Sequence, residues 1–203
     1  MRITGDGLLQ DSHRNIRFIA SPNCDARPAG TAITLLVIHN ISLPPGEFGG
    51  DGVTELFTNQ LRVETHPYYA TISGLKVSSH FFIRRDGEII QFVSCNQRAW
   101  HAGLSCWQGK TRCNDFSIGI ELEGSDHTPF TDAQYTALAA LTQCLCTDYP
   151  ISDITGHLHI APDRKTDPGP CFNWQTYAEL VGNHMVVMKH ADPPYMTVRR
   201  VNV

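Results

Sequence analysis

The sequence predicts one domain of mixed class, α/β or α+β, built on a single mixed β-sheet with helices packed against it. Three segments carry that prediction. Residues 33–39 are almost continuously apolar and end in a polar pair, His39-Asn40, as a buried strand would. Residues 116–123 alternate: Phe116, Ile118, Ile120 and Leu122 share one face, and Ser117, Gly119, Glu121 and Glu123 the other. Residues 132–147 repeat Tyr135, Leu138, Leu141 or Thr142, and Leu145 at helical spacing. Thr131 and Gln134 provide a capping box in front of that helix, and Pro150 closes it.

The remaining elements follow in order. Residues 1–20 read as a loosely packed N-terminal arm or an edge strand. After the first strand, Pro44, Pro45, Gly46, Gly49 and Gly50 forbid a regular element, so a loop near the functional face is expected. Residues 53–61 suit a short helix with Val53, Leu56, Phe57 and Leu61 inward. Residues 79–93 read as a hairpin, because Asp86-Gly87 separates the runs Phe81–Ile83 and Ile89–Val93. A short strand around Ile154 leads to Gly156-His157, and a loop runs to Pro170. Asn173 can cap a last helix through Trp174, Tyr177 and Val181. No period is visible beyond Gly182, and Pro193-Pro194 exclude a helix there, so 182–203 reads as a tail.

The 203 residues suit one domain. Hydrophobic residues make up 41% and charged residues 18%, which allows a buried core and excludes a disordered chain. The net charge of -4 and the lack of a basic stripe argue against nucleic acid as partner. The longest apolar run, Ala32 to Ile38, is interrupted by Thr34 and falls far below the roughly 18 residues of a membrane span. Arg2, Asp6, Asp11, Arg14 and Arg17 leave no apolar block for a secretory signal, so either the protein is cytoplasmic or a leader has been removed. Seven cysteines, an odd number without a C-x-x-C pair, fit free and mostly structural thiols in a reducing compartment.

Ten histidines offer many candidate sites. His39 and His157 each end a strand, and Asp167 sits in a stretch stiffened by Pro168 and Pro170. Two imidazoles and one carboxylate make a catalytic zinc set, with the fourth position left for water. Spacing alone does not select them, and each histidine could equally be a hydrogen-bonded core or surface residue. Glu121 shares a strand face with Glu123, and the strand cannot choose between them; either could be a solvated glutamate. Lys165 could stabilise an oxyanion or be an ordinary surface lysine. Trp100-His101 and Trp107 flank the glycines 103 and 109 and could floor a groove for a sugar or peptide, or belong to the core. A cysteine nucleophile has no local signature here, and a serine hydrolase lacks its G-x-S-x-G elbow.

Longer blocks add a resemblance. Val37-Ile38-His39-Asn40-Ile41-Ser42-Leu43-Pro44-Pro45-Gly46-Glu47-Phe48-Gly49-Gly50 resembles the first signature of the cytoplasmic 1,6-anhydro-N-acetylmuramyl-L-alanine amidases, within the zinc N-acetylmuramoyl-L-alanine amidase family. Arg112-Cys113-Asn114-Asp115-Phe116-Ser117-Ile118-Gly119-Ile120-Glu121-Leu122-Glu123-Gly124 is similar to the second. Thr155-Gly156-His157, Ile160-Ala161-Pro162 and Arg164 through Pro170 resemble the third, and Arg84–Glu88 and Arg98–Gly103 also match. The resemblance runs from about Ser21 to Leu180.

The resemblance implies an α/β fold, a central mixed sheet flanked by helices, shared with phage-type lysozyme amidases and peptidoglycan recognition proteins. It places a single zinc amidase domain at 1–181, with 1–20 as its arm and 182–203 as a C-terminal tail. It implies hydrolysis of the amide between anhydro-N-acetylmuramic acid and L-alanine on muropeptides being recycled. His39, His157 and Asp167 match the zinc ligands, Glu121 the general base and Lys165 the oxyanion lysine. Arg112 matches a position that meets stem-peptide carboxylates, and Asn40, His80 and Trp100 are expected in the groove. The chain is expected to be cytoplasmic and monomeric, with an anhydro-muropeptide as partner and neither membrane nor nucleic acid. Two departures stand out: Lys76 where an arginine is expected, and His159, close enough to His157 to compete as a ligand. The rival reading is a non-catalytic module that binds or senses muropeptides.

Overall fold

A computed structural model describes residues 1–12, 16–182, 185–191 and 194–200. In chain order the strands are β1 (Arg2–Ile3), β2 (Leu9–Gln10), β3 (Arg17–Phe18), β4 (Cys24–Ala26), β5 (Leu35–Ile41), β6 (Phe81–Ile83), β7 (Ile89–Gln91), β8 (Gln97–Ala99), β9 (Cys106–Trp107), β10 (Lys110–Thr111), β11 (Ser117–Glu123), β12 (Asp153–Gly156), β13 (Met185–Ala191) and β14 (Pro194–Arg200). The helices are α1 (Gly52–Phe57), α2 (Pro67–Thr71), α3 (Asp132–Asp148), α4 (His157–Ile160) and α5 (Trp174–Val181).

Eight strands form the central sheet, in the order β13-β14-β12-β5-β11-β6-β7-β3. Its centre is parallel: β5 runs with β12 on one side and with β11 on the other, and β11 runs with β6. The β6–β7, β12–β14 and β13–β14 pairs are antiparallel, so the sheet is mixed as expected. The α/β class holds.

Side-chain alternation divides the core. Leu36, Ile38, Ile118, Ile120, Leu122 and Ile154 point to the face covered by α3 and α5. The opposite face carries Leu35 and Val37, which pack with Ala102, Trp107, Phe116 and Ile160 beneath the 101–113 loop. The capping box forms as read: the Thr131 hydroxyl accepts from the Gln134 amide at 3.1 Å, and the Gln134 side chain accepts from the Thr131 amide at 3.1 Å. Thr142 and Tyr177 join α3 to α5 through a 2.6 Å hydroxyl contact.

Three expectations change. Every residue of β11 is buried, so Glu121 and Glu123 do not lie on a solvated face. A central parallel strand is covered on both sides, and here loops cover the second side. The segment read as a tail is a strand pair: β14 pairs with the free edge of β12 and β13 pairs with β14. Adjacent Thr197 and Val198 are both buried, so polarity does not alternate clearly there, and Pro194 stands at the first position of its strand, where a missing N–H is tolerated. Finally, α1 is shorter than 53–61 and ends at Phe57, with Asn59 in the left-handed region at φ 59°.

Candidate metal centre

Strand register brings the site together. His39 on β5 is the register partner of Glu121 on β11. On the other side of β5, Ile38 pairs with Gly156, the last residue of β12, so His157 follows level with His39. All three side chains therefore emerge at the carboxyl ends of adjacent parallel strands, where open α/β sheets place their ligands. His157 does not end the strand, as read from sequence, but starts the one-turn helix α4.

Asp167 arrives from the loop after α4. The Leu158 amide donates to the Asp167 carbonyl at 2.9 Å and ties that loop to α4. Gly156 permits the approach, because a Cβ there would lie 2.6 Å from Cδ of Pro168. His39 Nδ1, His157 Nδ1 and the Asp167 carboxylate then converge: the two nitrogens are 3.0 Å apart, and Asp167 Oδ2 lies 2.9 Å from the first and 3.1 Å from the second. One donor atom from each residue fits within 4.8 Å.

The chemistry of these donors suits a divalent cation. His157 Nε2 faces the Ala102 carbonyl at 3.2 Å. A carbonyl only accepts, so Nε2 carries the proton and Nδ1 turns a bare lone pair toward the cluster. Burial pushes the His39 ring down to about 4, an effect His157 adds to and Asp167 opposes, so the ring is neutral near pH 7. Neutral imidazoles and one carboxylate are the ligand types of an open zinc site.

Glu121 stands beside this cluster, with Oε1 4.0 Å from His39 Nδ1. Its Oε2 is buried and has no hydrogen-bond partner among the described residues. Burial, reinforced by Asp167 and opposed by Lys165, raises its pKa well above the ordinary glutamate value. Glu123, equally buried, is satisfied: it accepts from the Gly49 amide at 2.6 Å and from the Arg85 amide at 3.0 Å. The structure thus separates two glutamates that strand alternation could not: one is unsatisfied at the donor cluster, the other ties two loops together.

A cleft of about 880 Å³ opens over the cluster, with Asn40, Trp100, Glu121 and Lys165 among its lining residues. Asn40 donates to Asp126, also on the wall, at 2.7 Å. His80 is not in the cleft, contrary to expectation. It is wholly buried, its Nδ1 accepts from the Gly119 amide at 3.0 Å, and its Nε2 contacts Arg27 at 3.0 Å and the Gln97 carbonyl at 3.1 Å. Arg112 is not in the cleft either: it is exposed, pairs with Asp115 at 3.2 Å and borders a separate depression with Leu104 and Ile160. Trp107 belongs to the core rather than to a groove floor. His159 does not compete as a ligand, because its Nδ1 contacts the Gly156 amide at 3.1 Å and the Thr155 hydroxyl at 2.9 Å, on the strand it follows.

The sequence reading missed two contributors. Asp126 carries no motif beyond its place after β11. Arg164 lay within a quoted block without a role; its guanidinium donates to the Ala102 and Leu104 carbonyls at 3.0 and 2.7 Å and fastens the loop that also orients His157.

Comparison with known proteins identifies the family. The family model for N-acetylmuramoyl-L-alanine amidase matches residues 29–170. The 1,6-anhydro-N-acetylmuramyl-L-alanine amidase AmpD of Citrobacter freundii is 54% identical over 178 residues, covering 87% of this chain and 93% of that protein. A crystal structure of a selenomethionine AmpD derivative superposes with a TM-score of 0.84 at 53% identity, covering 89% of this chain and 99% of the other. The amidase AmiD of E. coli, solved with the substrate anhydro-N-acetylmuramic acid-L-Ala-D-gamma-Glu-L-Lys, matches with a TM-score of 0.53 at 32% identity, covering 88% of this chain and 65% of the other. By these matches the chain belongs to the N-acetylmuramoyl-L-alanine amidase family.

Proposed function

We propose that this chain is a zinc-dependent amidase that cuts the bond between the lactyl group of anhydro-N-acetylmuramic acid and L-alanine in muropeptides of peptidoglycan recycling. The observation that carries the reading is the meeting of three metal-donor groups with one unsatisfied buried carboxylate at the mouth of a cleft. The substrate follows from the kinship with AmpD.

His39, His157 and Asp167 would hold the ion. When bound, zinc supplies Lewis-acid polarisation of the amide carbonyl and a lowered pKa for the attacking water. Glu121 takes the proton from that water as its oxygen bonds to the carbonyl carbon. It then returns the proton to the nitrogen as the carbon–nitrogen bond breaks, freeing the amine of L-alanine. Burial raises the Glu121 carboxyl above its ordinary range, which strengthens it as a proton acceptor. Lys165, on the cleft wall, offers its cation to the developing oxyanion. Asn40 and Trp100 line the path of the substrate. Arg112 would meet a stem-peptide carboxylate only where the peptide runs out over the loop at Leu104.

The alternative, a module that binds or senses muropeptides without cutting them, has no use for Glu121 beside the donors. We place the protein in the cytoplasm as a monomer. All seven cysteines are unbridged, and burial pushes Cys95 up to about 12 and Cys113 up to about 11, the state of inert thiols. Among the described residues no helix is long and apolar enough to cross a membrane. Mass spectrometry of products tests the activity. The expected result is anhydro-muramic acid plus a peptide with a free L-alanine amine; intact, tightly held substrate would instead favour the sensing module.

A further inference from the structure

His39 does not stand alone behind the metal centre. Its Nε2, the nitrogen turned away from the donor cluster, lies 3.0 Å from Nδ1 of His101, and the rings meet edge to face. Nε2 of His101 lies 3.1 Å from the Ser117 hydroxyl, which lies 2.6 Å from the Cys113 carbonyl. All three side chains are buried.

The direction of each bond in this chain is forced from one end. The Cys113 carbonyl can only accept, and at 2.6 Å it takes the one proton that Ser117 can donate. Ser117 must therefore accept from His101, which places the His101 proton on Nε2. Nδ1 of His101 is then a bare acceptor, and the proton between the two rings belongs to Nε2 of His39. A neutral imidazole carries only one proton, so Nδ1 of His39 is left as a lone pair facing His157 and Asp167. The Ala102 carbonyl imposes the same arrangement on His157. Two independent buried carbonyls, at Cys113 and Ala102, thus turn both imidazoles into donors aimed at one point.

The backbone makes room for this arrangement. Gly119, between Ser117 and Glu121 on β11, lies under the His101 ring, where a Cβ would approach its Cγ to 2.5 Å and its Nδ1 to 2.7 Å. The Asn114 side chain holds the ring's own backbone by accepting from the His101 and Ala102 amides at 3.2 and 2.8 Å. Ser117, Gly119 and Glu121 lie on one face of one strand, so that face supplies the tautomer lock, the space for its ring and the carboxylate at the donors.

We propose that His101 and Ser117 are positioning residues of the metal centre, which fix His39 as its Nε2-protonated tautomer and so present Nδ1 to the ion. The inference rests on the metal-centre reading above and deepens it. His101 meets the donor cluster only through Nε2 of His39, although its ring also borders the cleft, and Ser117 acts through His101. Partners of this kind typically alter metal affinity or activity by about 10- to 100-fold.

Nitrogen-15 NMR of the zinc-loaded full chain, labelled at histidine, tests the lock directly. The expected spectrum has His101 protonated on Nε2 and a nitrogen–nitrogen coupling across the hydrogen bond from Nε2 of His39 to Nδ1 of His101. Competition with a chromophoric chelator supplies the second readout: Ser117→Ala and His101→Phe should weaken zinc binding by roughly 10- to 100-fold. Zinc-bound protein with His101 protonated on Nδ1, or folded variants that bind zinc within twofold of the parent, would overturn the inference while leaving the metal centre intact. A parent chain that takes up no zinc would overturn the metal reading itself. If a variant fails to fold, the coupling in the parent protein decides alone.

Discussion

His39 and Glu121 are register partners on adjacent parallel strands, and their side chains emerge on the same face with Nδ1 and Oε1 4.0 Å apart. The sheet itself therefore places the carboxylate beside the donor cluster. Strands are more rigid supports than loops, and a proton carrier must stay within hydrogen-bond reach of the water it serves.

From this placement, Glu121→Gln should fold, keep its zinc and lose roughly 10²-fold or more in kcat, with KM moving less. Glu123→Gln should behave differently. It disturbs a carboxylate that accepts from the Gly49 and Arg85 amides, so it should cost about 1–3 kcal/mol of stability while the folded enzyme turns over nearly as before. Urea denaturation and steady-state kinetics on the two variants check both halves. A zinc-loaded but inactive Glu123→Gln protein would contradict the assignment.

Glu121 also ties stability to pH in the metal-free protein. Its folded pKa is raised above the ordinary 4.5, so its ionised form opposes folding. That penalty is present above the folded pKa, shrinks as pH falls through it, and is gone below about 4.5. Metal-free Glu121→Gln should accordingly be more stable than the parent near pH 7, with the gap closing in acid. Urea unfolding of both proteins across that range is the check, and a gap that widens as pH falls would refute the sign.

His157→Ala should bind no stoichiometric zinc, and His159 should not rescue it, because its Nδ1 is held against the Gly156 amide and the Thr155 hydroxyl. Metal analysis of the purified variant decides. Removing His159 by substitution with Asn should leave zinc content unchanged.

Thiol titration under denaturing, non-reducing conditions should find all seven cysteines free, as the structure has them. A native disulfide would count against a reducing compartment.

Much of this was legible in the chain. The capping box at Thr131 and the Asp86-Gly87 turn are local signals, and local hydrogen bonds decide them. The metal ligands were visible only as members of longer blocks, since nothing in the spacing of His39, His157 and Asp167 encodes the strand order that joins them. Alternation along β11 assigned Glu121 and Glu123 to one face but could not tell which loops would cover it. Gly49 and Arg85, which satisfy Glu123, lie far away in sequence. His80, expected in the groove by the block resemblance, is held in the interior by the Gly119 amide and Arg27. The strand pair beyond Gly182 depends on an edge of β12 that local sequence does not reveal.

The central claim is that hydrolysis depends on one ion held by His39, His157 and Asp167. The most direct test measures zinc content and release of the L-alanine peptide from anhydro-muropeptide on the same sample, before chelation, after it and after zinc is restored. The account predicts about one zinc per chain, activity that disappears with the metal, and recovery in proportion to zinc returned. Undiminished release by metal-free protein would contradict it.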